Sequence, residues 1–132
     1  MLKNIERLIP SAASLKGAGA AGGAAGGLHG VLGAKLVSGA ELIDKHTGLS
    51  VRAASADIVI TGEGCFDSQS LDGKLVGHVL NMDAKRRIVV CGRSEIDPPP
   101  GVELYSLVQL FGLEAALNDT AGCLERVGRM IK

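Results

Sequence analysis

Two short runs, residues 57–62 (DIVITG) and 87–92 (RIVVCG), constrain the fold more than any other feature of this chain. Each is apolar and β-branched at successive positions, without alternation, and each ends in glycine. Side chains that are apolar on both faces suit a strand covered from both sides, as in parallel sheets. Between them Leu75, Val76, Val79 and Leu80 recur at helical spacing. A third apolar run, 102–111 (VELYSLVQLF), reads as another strand. A closing helix follows, with Leu113, Ala116, Leu117, Leu124, Val127 and Ile131 along one face.

Strands separated by helices specify an α/β fold. The expectation is a small, mainly parallel sheet of about three strands, flanked by helices in a Rossmann-like three-layer arrangement. Such sheets usually have about five or six strands, so this one reads as incomplete. The stretch from Cys91 to Val102 is barely long enough for a parallel crossover, which usually needs about a dozen residues. The third strand is therefore either antiparallel or reached by a minimal crossover. Within that stretch Pro98, Pro99 and Pro100 favour a stiff polyproline conformation.

The 132 residues suit a single α/β domain over 1–132, and 46% hydrophobic residues suffice for a core. Aromatic residues are only 2%, so that core is aliphatic. Lysine plus arginine and aspartate plus glutamate both number 14. That balance argues against a nucleic-acid partner, which needs a basic face. The opening MLKNIERLIP is charged at Lys3, Glu6 and Arg7, unlike a secretory leader. Three cysteines without close spacing suggest neither disulfides nor zinc, and point to a reduced, cytoplasmic protein. Residues 2–9 read as a short amphipathic helix ended by Pro10. Ser38 and Glu41 form a capping-box pattern for a helix that runs to about His46 and stops at Gly48. A helical turn is expected over 51–54.

The run 17–27 (GAGAAGGAAGG) admits several readings. A dinucleotide fingerprint needs a preceding strand and a later acid at a strand end, and neither is present. A membrane helix is disfavoured because glycine and alanine contribute little to insertion and His29 lies inside the segment. Gly19, Gly23 and Gly27, and likewise Gly22, Gly26 and Gly30, lie four apart, which on a helix makes a smooth face for close backbone packing. The combination expected is an anion-binding loop over 17–20 and a packed helix over 21–35.

The segment 61–74 (TGEGCFDSQSLDGK) follows directly on a strand and leads into a helix, the usual ligand position in open α/β sheets. Gly62 and Gly64 flank Glu63 and permit close ligand approach. Glu63 and Asp67 offer hard oxygen ligands for Mg²⁺ or a general base. Lys74 near a helix start suits a phosphate. The spacing is not that of a Walker A loop. On spacing alone, Asp67, Ser68, Ser70 and Asp72 are equally readable as turn and cap residues.

Taken together, GAGAAGG, SGAELI, ADIVITGEGCFDSQSLDGK and the amphipathic tail resemble the carboxy-terminal portion of the bacterial type I glycerate kinases. The resemblance runs over nearly the whole chain from about Gly17. Residues 17–23, with Gly17, Gly19 and Gly22, match the family's glycine-rich segment. Thr61, Gly62, Glu63, Gly64, Asp67, Gln69, Gly73 and Lys74 match its second motif. The resemblance implies transfer of a phosphoryl group from ATP to D-glycerate with Mg²⁺. It implies Glu63, Asp67 and Lys74 as catalytic, and Glu63 and Asp67 as metal ligands. It also implies Gly17, Gly19, Gly22, Gly62, Gly64, Gln69 and Gly73 as cofactor-binding. The chain departs from the family at Lys16, where proline is usual, and at Cys65, where a basic residue is common. The segment 85–102 is shortened, and nothing matches the family's amino-terminal portion. The expectation is a partial cleft that binds weakly and catalyses little. Its uncovered edges lead to self-association or to pairing with the missing portion. The alternative is a non-catalytic domain that acts through association or weak anion binding.

His29, His46 and His78 are too scattered for a metal site and read as structural or surface residues. Cys91 and Cys123 read as buried. Cys65 reads as inert, because no basic residue is adjacent in sequence. Tyr105 reads as packing within a strand.

Overall fold

A computed structural model describes Pro10, residues 14–72 and residues 75–132. The helix expected over 2–9 lies outside the described residues. The chain forms two compact units, Met1–Leu42 and Ile43–Lys132.

In the first unit the glycine run is more loop than helix. A turn from Ser14 leads into a 3-10 segment, Ala20–Gly23, in which Ala21 and Gly22 have positive φ. Gly23 then caps helix α1, Ala24–Leu32, at φ 92. The expected helix over 21–35 is thus trimmed at both ends. Left-handed backbone at 21–23 cannot continue a right-handed helix, and Gly33 at φ 66 closes it. Inside the run Gly23 and Gly26 are buried while Gly19, Gly22 and Gly30 are exposed. The smooth face expected along two glycine rows is therefore reduced to one pair three residues apart. The Gly26 amide donates to the Ala18 carbonyl at 3.0 Å, folding the loop back on the first turn of α1.

Helix α2, Gly39–Thr47, begins where the Glu41 amide donates to Ser38 Oγ at 3.4 Å and ends at Gly48, φ 64. Helix α3, Leu49–Ser55, is longer than the single turn expected there. Three strands follow, β1 (Ile58–Phe66), β2 (Arg86–Ser94) and β3 (Val102–Ser106), in one sheet of order β1-β2-β3. Both pairs are parallel, with Glu63 opposite Cys91 and Cys65 opposite Arg93.

The crossover from Ser94 to Val102 is therefore the minimal one, without a helix. Val102 pairs with Arg87, so the chain must return almost the full length of β2. Seven residues of strand span about 23 Å. The eight steps back span about 25 Å if extended as polyproline. The three consecutive prolines stiffen the segment, which closes in a turn where the Val102 amide donates to the Pro99 carbonyl at 3.1 Å and Gly101 has φ 77, and too few residues remain for a helix.

The third strand is shorter than the run 102–111 suggested. It stops at Ser106, whose hydroxyl accepts from the Gln109 amide and starts helix α6, Leu107–Phe111. The single closing helix is also divided, into α7 (Leu113–Asn118) and α8 (Thr120–Met130), because the Asp119 carboxylate caps α8. Between β1 and β2 stand two short helices, α4 (Ser68–Leu71) and α5 (Leu75–Leu80).

The sheet is covered on both faces, as expected for three layers. On one face Val89 and Cys91 pack with Phe66, Val76 and Leu80. Ala53 of α3 extends this layer through Val79 and Met82. On the other face Val90 and Tyr105 pack against Leu107, Ala116, Cys123 and Val127. Among the three strands the middle one is the most buried, at Ile88, Val89 and Cys91. β1 is an edge, and Ile60, expected to be buried, is 54% exposed. Alternation was absent from its sequence, but the sheet has no further strand or helix on that side among the described residues to cover both faces.

Candidate functional site

The carboxyl ends of β1 and β2 carry the chemistry that the chain offers. Glycine lets the two strands approach there. A Cβ on Gly62 would lie 2.5 Å from the Val90 carbonyl oxygen, and one on Gly92 would lie 2.7 Å from that of Gly64. No side chain fits at either position without moving backbone. By contrast, nothing lies within 4 Å of a Cβ built on Gly64.

Thr61, Glu63 and Cys65 alternate onto the face that packs on α4 and α5, in register with Val89, Cys91 and Arg93. Glu63 Oε1 is buried and has no hydrogen-bond partner among the described residues. A buried carboxylate oxygen without a partner is costly. Its neighbour Cys91 is held above the usual thiol range, first by burial and further by the Glu63 charge.

Asp67 follows the end of β1 and is committed locally. Its Oδ1 accepts from the amides of Gln69 at 2.8 Å and Ser70 at 3.1 Å, while Ser70 Oγ accepts from the Asp67 amide at 3.0 Å. This capping box starts α4. Asp67 therefore does the work of the cap reading, and Oδ1 is not free for another ligand. Gln69 lies exposed on α4. Gly73 and Lys74 lie outside the described residues. In the first unit Gly17, at φ +90, and Gly19 and Gly22 are all exposed on the loop before α1.

Two features here were invisible in sequence. Cys65 does have a basic neighbour: Arg93 Nε donates to Cys65 Sγ at 3.3 Å across the strand pair. The partner lies 28 residues away, and only parallel register brings it adjacent. The Arg93 guanidinium also pairs with Glu95 at 2.8 Å. Away from the sheet ends, His78 Nε2 meets Asp44 Oδ2 at 2.9 Å, joining α5 to α2. Asp44 also accepts from the Ser50 amide at 2.7 Å and from the Ser50 hydroxyl. These Ser50 bonds, and then His78, hold the Asp44 carboxyl down at about 2.

On the opposite face a cavity of about 700 Å³ opens between the β1–β2 backbone and α8. Ile60, Gly62, Val90, Leu124 and Val127 are among its mostly apolar walls. Among the described residues no cluster of three or more histidine, cysteine or acidic side chains is placed to hold a metal ion. No described helix is long and apolar enough to cross a membrane.

Comparison with known proteins gives this geometry a context. The sequence profile of the glycerate kinase family matches residues 1–131. An uncharacterized protein of Synechocystis is 44% identical over 116 residues, which are 83% of this chain and 31% of that protein. A glycerate kinase of Neisseria meningitidis serogroup B is 44% identical over 114 residues, 82% of this chain and 29% of its own length. Glycerate 2-kinase of Escherichia coli is 43% identical over 76 residues, 58% of this chain and 20% of the enzyme. The chain thus spans under a third of the length of these relatives.

Proposed function

The chain belongs to the glycerate kinase family, and from that premise we propose that it forms the carboxy-terminal part of a site that transfers a phosphoryl group from ATP to D-glycerate. The observation that carries this reading is Glu63: a carboxylate oxygen buried without a partner among the described residues, at the carboxyl end of a parallel strand. A buried anionic oxygen calls for a cation, and Mg²⁺ fits the donor present. That ion is usually held by one or two carboxylates together with substrate phosphates rather than by a full protein cage. Glu63 would hold the ion, with Asp67 contributing through the oxygen not used in its cap. When bound, Mg²⁺ neutralises charge on the transferring phosphoryl group.

The chain's own residues supply position. Gly62 and Gly92 bring the strands close enough to present backbone to a ligand without side chains in the way. Gly17, Gly19 and Gly22, exposed on the loop of the first unit, belong to the proposal as cofactor-binding residues through their place in the matching glycine-rich segment. Gly64, Gln69, Gly73 and Lys74 belong to the same proposal through their place in the matching motif. The cytoplasm is the proposed location, because three cysteines without close spacing suit a reducing compartment. Exposed Ile60, Leu117 and Leu124, which line one cavity at the uncovered β1 edge, favour association with a second copy.

The test is titration of the chain with Mg²⁺ and ATP, followed by amide shifts. Shifts centred on residues 61–69 that are lost in Glu63→Gln, with the fold retained, are expected. Shifts confined to other loops would remove Glu63 from the site. Asp67→Asn is the companion variant, because asparagine keeps the cap.

A further inference from the structure

The end of β1 and the segment after it, residues 61–72, carry three acids, Glu63, Asp67 and Asp72, and no base. Both substrates proposed above are anions, so acids alone would repel them. The strand register brings a base to this loop from elsewhere. Arg93 stands opposite Cys65 at the carboxyl end of the middle strand, where ligands of parallel sheets sit. Its guanidinium is held from two sides: Nε donates to Cys65 Sγ at 3.3 Å, and Nη2 lies 2.8 Å from Glu95 Oε1 as an ion pair. The flexible stem is thereby fixed in one direction, while Nη1 has no acceptor among the described residues and the side chain is 63% exposed. A surface pair between Arg93 and Glu95 alone would leave the guanidinium free to rotate. The thiol removes that freedom, and the outward edge of a planar guanidinium matches the two oxygens of a phosphate or carboxylate.

We infer that Arg93, oriented by Cys65, is the oxyanion-binding residue of this site. It receives a phosphate or carboxylate group of the substrates at its outward edge. Cys65 is a positioning residue, acting only through the guanidinium. The inference rests on the kinase reading, but it makes a claim of its own about a residue on β2.

The experiment is titration of the full chain with inorganic phosphate and, separately, with D-glycerate, observing the Arg93 Nε–H resonance and the backbone amides. The expected result is a shift at Arg93 Nε–H in the wild-type chain and affinity weakened about tenfold or more in Arg93→Gln, the scale of one lost charge-assisted bond. Arg93→Lys should restore only part of it, since an ammonium lacks the fork. Cys65→Ala should weaken binding less and broaden the Arg93 resonance. A response to phosphate alone assigns the transferred group to Arg93, and a response to D-glycerate alone assigns the acceptor's carboxylate. An unmoved Arg93 resonance, an Arg93→Gln chain that binds as the wild type does, or a wild-type chain that binds neither anion overturns the inference. The kinase reading fails separately, if Glu63→Gln leaves the Mg²⁺ and ATP response unchanged while the Arg93 effect persists.

Discussion

The glycines of the first unit and those of the β1–β2 ends serve opposite physical needs. Around Gly17 and Gly23 the backbone itself is unusual, at φ +90 and φ 92, while a side chain on Gly17 would meet open space. At Gly62 and Gly92 it is the surroundings that exclude a side chain, because a neighbouring carbonyl stands where Cβ would go. Glycine is thus chosen once for a conformation and once for a distance. In sequence, residues 17–20 read as loop, the later glycines of the run as a packing face, and Gly62 and Gly64 as room for a ligand; the strand contact at Gly62 and Gly92 was not foreseen. Density says little about packing; the neighbour across the gap decides it.

Substitution separates the two kinds, and the largest effect should come from the strand ends. Gly92→Val places side-chain atoms within the Gly64 carbonyl and should destabilise by about 3 kcal/mol or more, at or beyond the usual overpacking cost. Thermal melting of the variant checks it, and an unchanged melting temperature would show that the strands can part. Gly23→Leu combines burial with a left-handed backbone and should cost about 1–3 kcal/mol. Gly17→Ala carries the backbone term alone, about 1–2 kcal/mol, visible in the same melts. Gly27→Ala should have the opposite sign. The position lies within α1 with nothing within 4 Å of its Cβ, so alanine should add about 0.5–1 kcal/mol of stability. A loss at Gly27 would restore the packing-face reading for the whole run.

The smallest effect concerns pH. The Asp44 carboxyl lies at about 2 in the folded chain, against an ordinary value of 3.8. A carboxyl lowered by folding stabilises above its unfolded pKa, and that contribution is lost as pH falls from 3.8 towards 2. Asp44→Asn should lower the melting temperature slightly at neutral pH and leave it less dependent on pH in that window. Paired melts at pH 6 and pH 2.5 measure the difference.

Much of the fold was legible because its signals are local. Continuous apolar runs marked β1 and β2, Gly48 marked the end of α2, and the helical spacing of Leu75, Val76, Val79 and Leu80 marked α5. Errors fell where a polar residue inside an apolar run was a cap: Ser106 ends β3, and Asp119 divides the closing helices. An apolar pattern shows which residues are buried, but not where a hydroxyl or carboxylate turns inward to satisfy an amide. Of the candidate site, the segment that carries Glu63 was legible as the far end of a strand, but the expected stop at Gly62 was wrong: β1 continues to Phe66, because residues 63–66 still pair with β2, and Glu63 stands within the strand. Asp67 was readable in two ways, and the structure shows it making the cap.

The sequence by itself determined the layer arrangement, the position of the glycine-flanked Glu63 and the kinship with glycerate kinases. Each of these depends on residue type and spacing along one segment. Tertiary structure alone decided that β3 runs parallel, that β1 is an edge, and that Arg93 meets Cys65 while His78 meets Asp44. These facts depend on register between segments 28 and 34 residues apart, for the two side-chain pairs, and on the reach of a proline-stiffened crossover. Distances of that kind are fixed only when the whole sheet is assembled, because no single segment carries them.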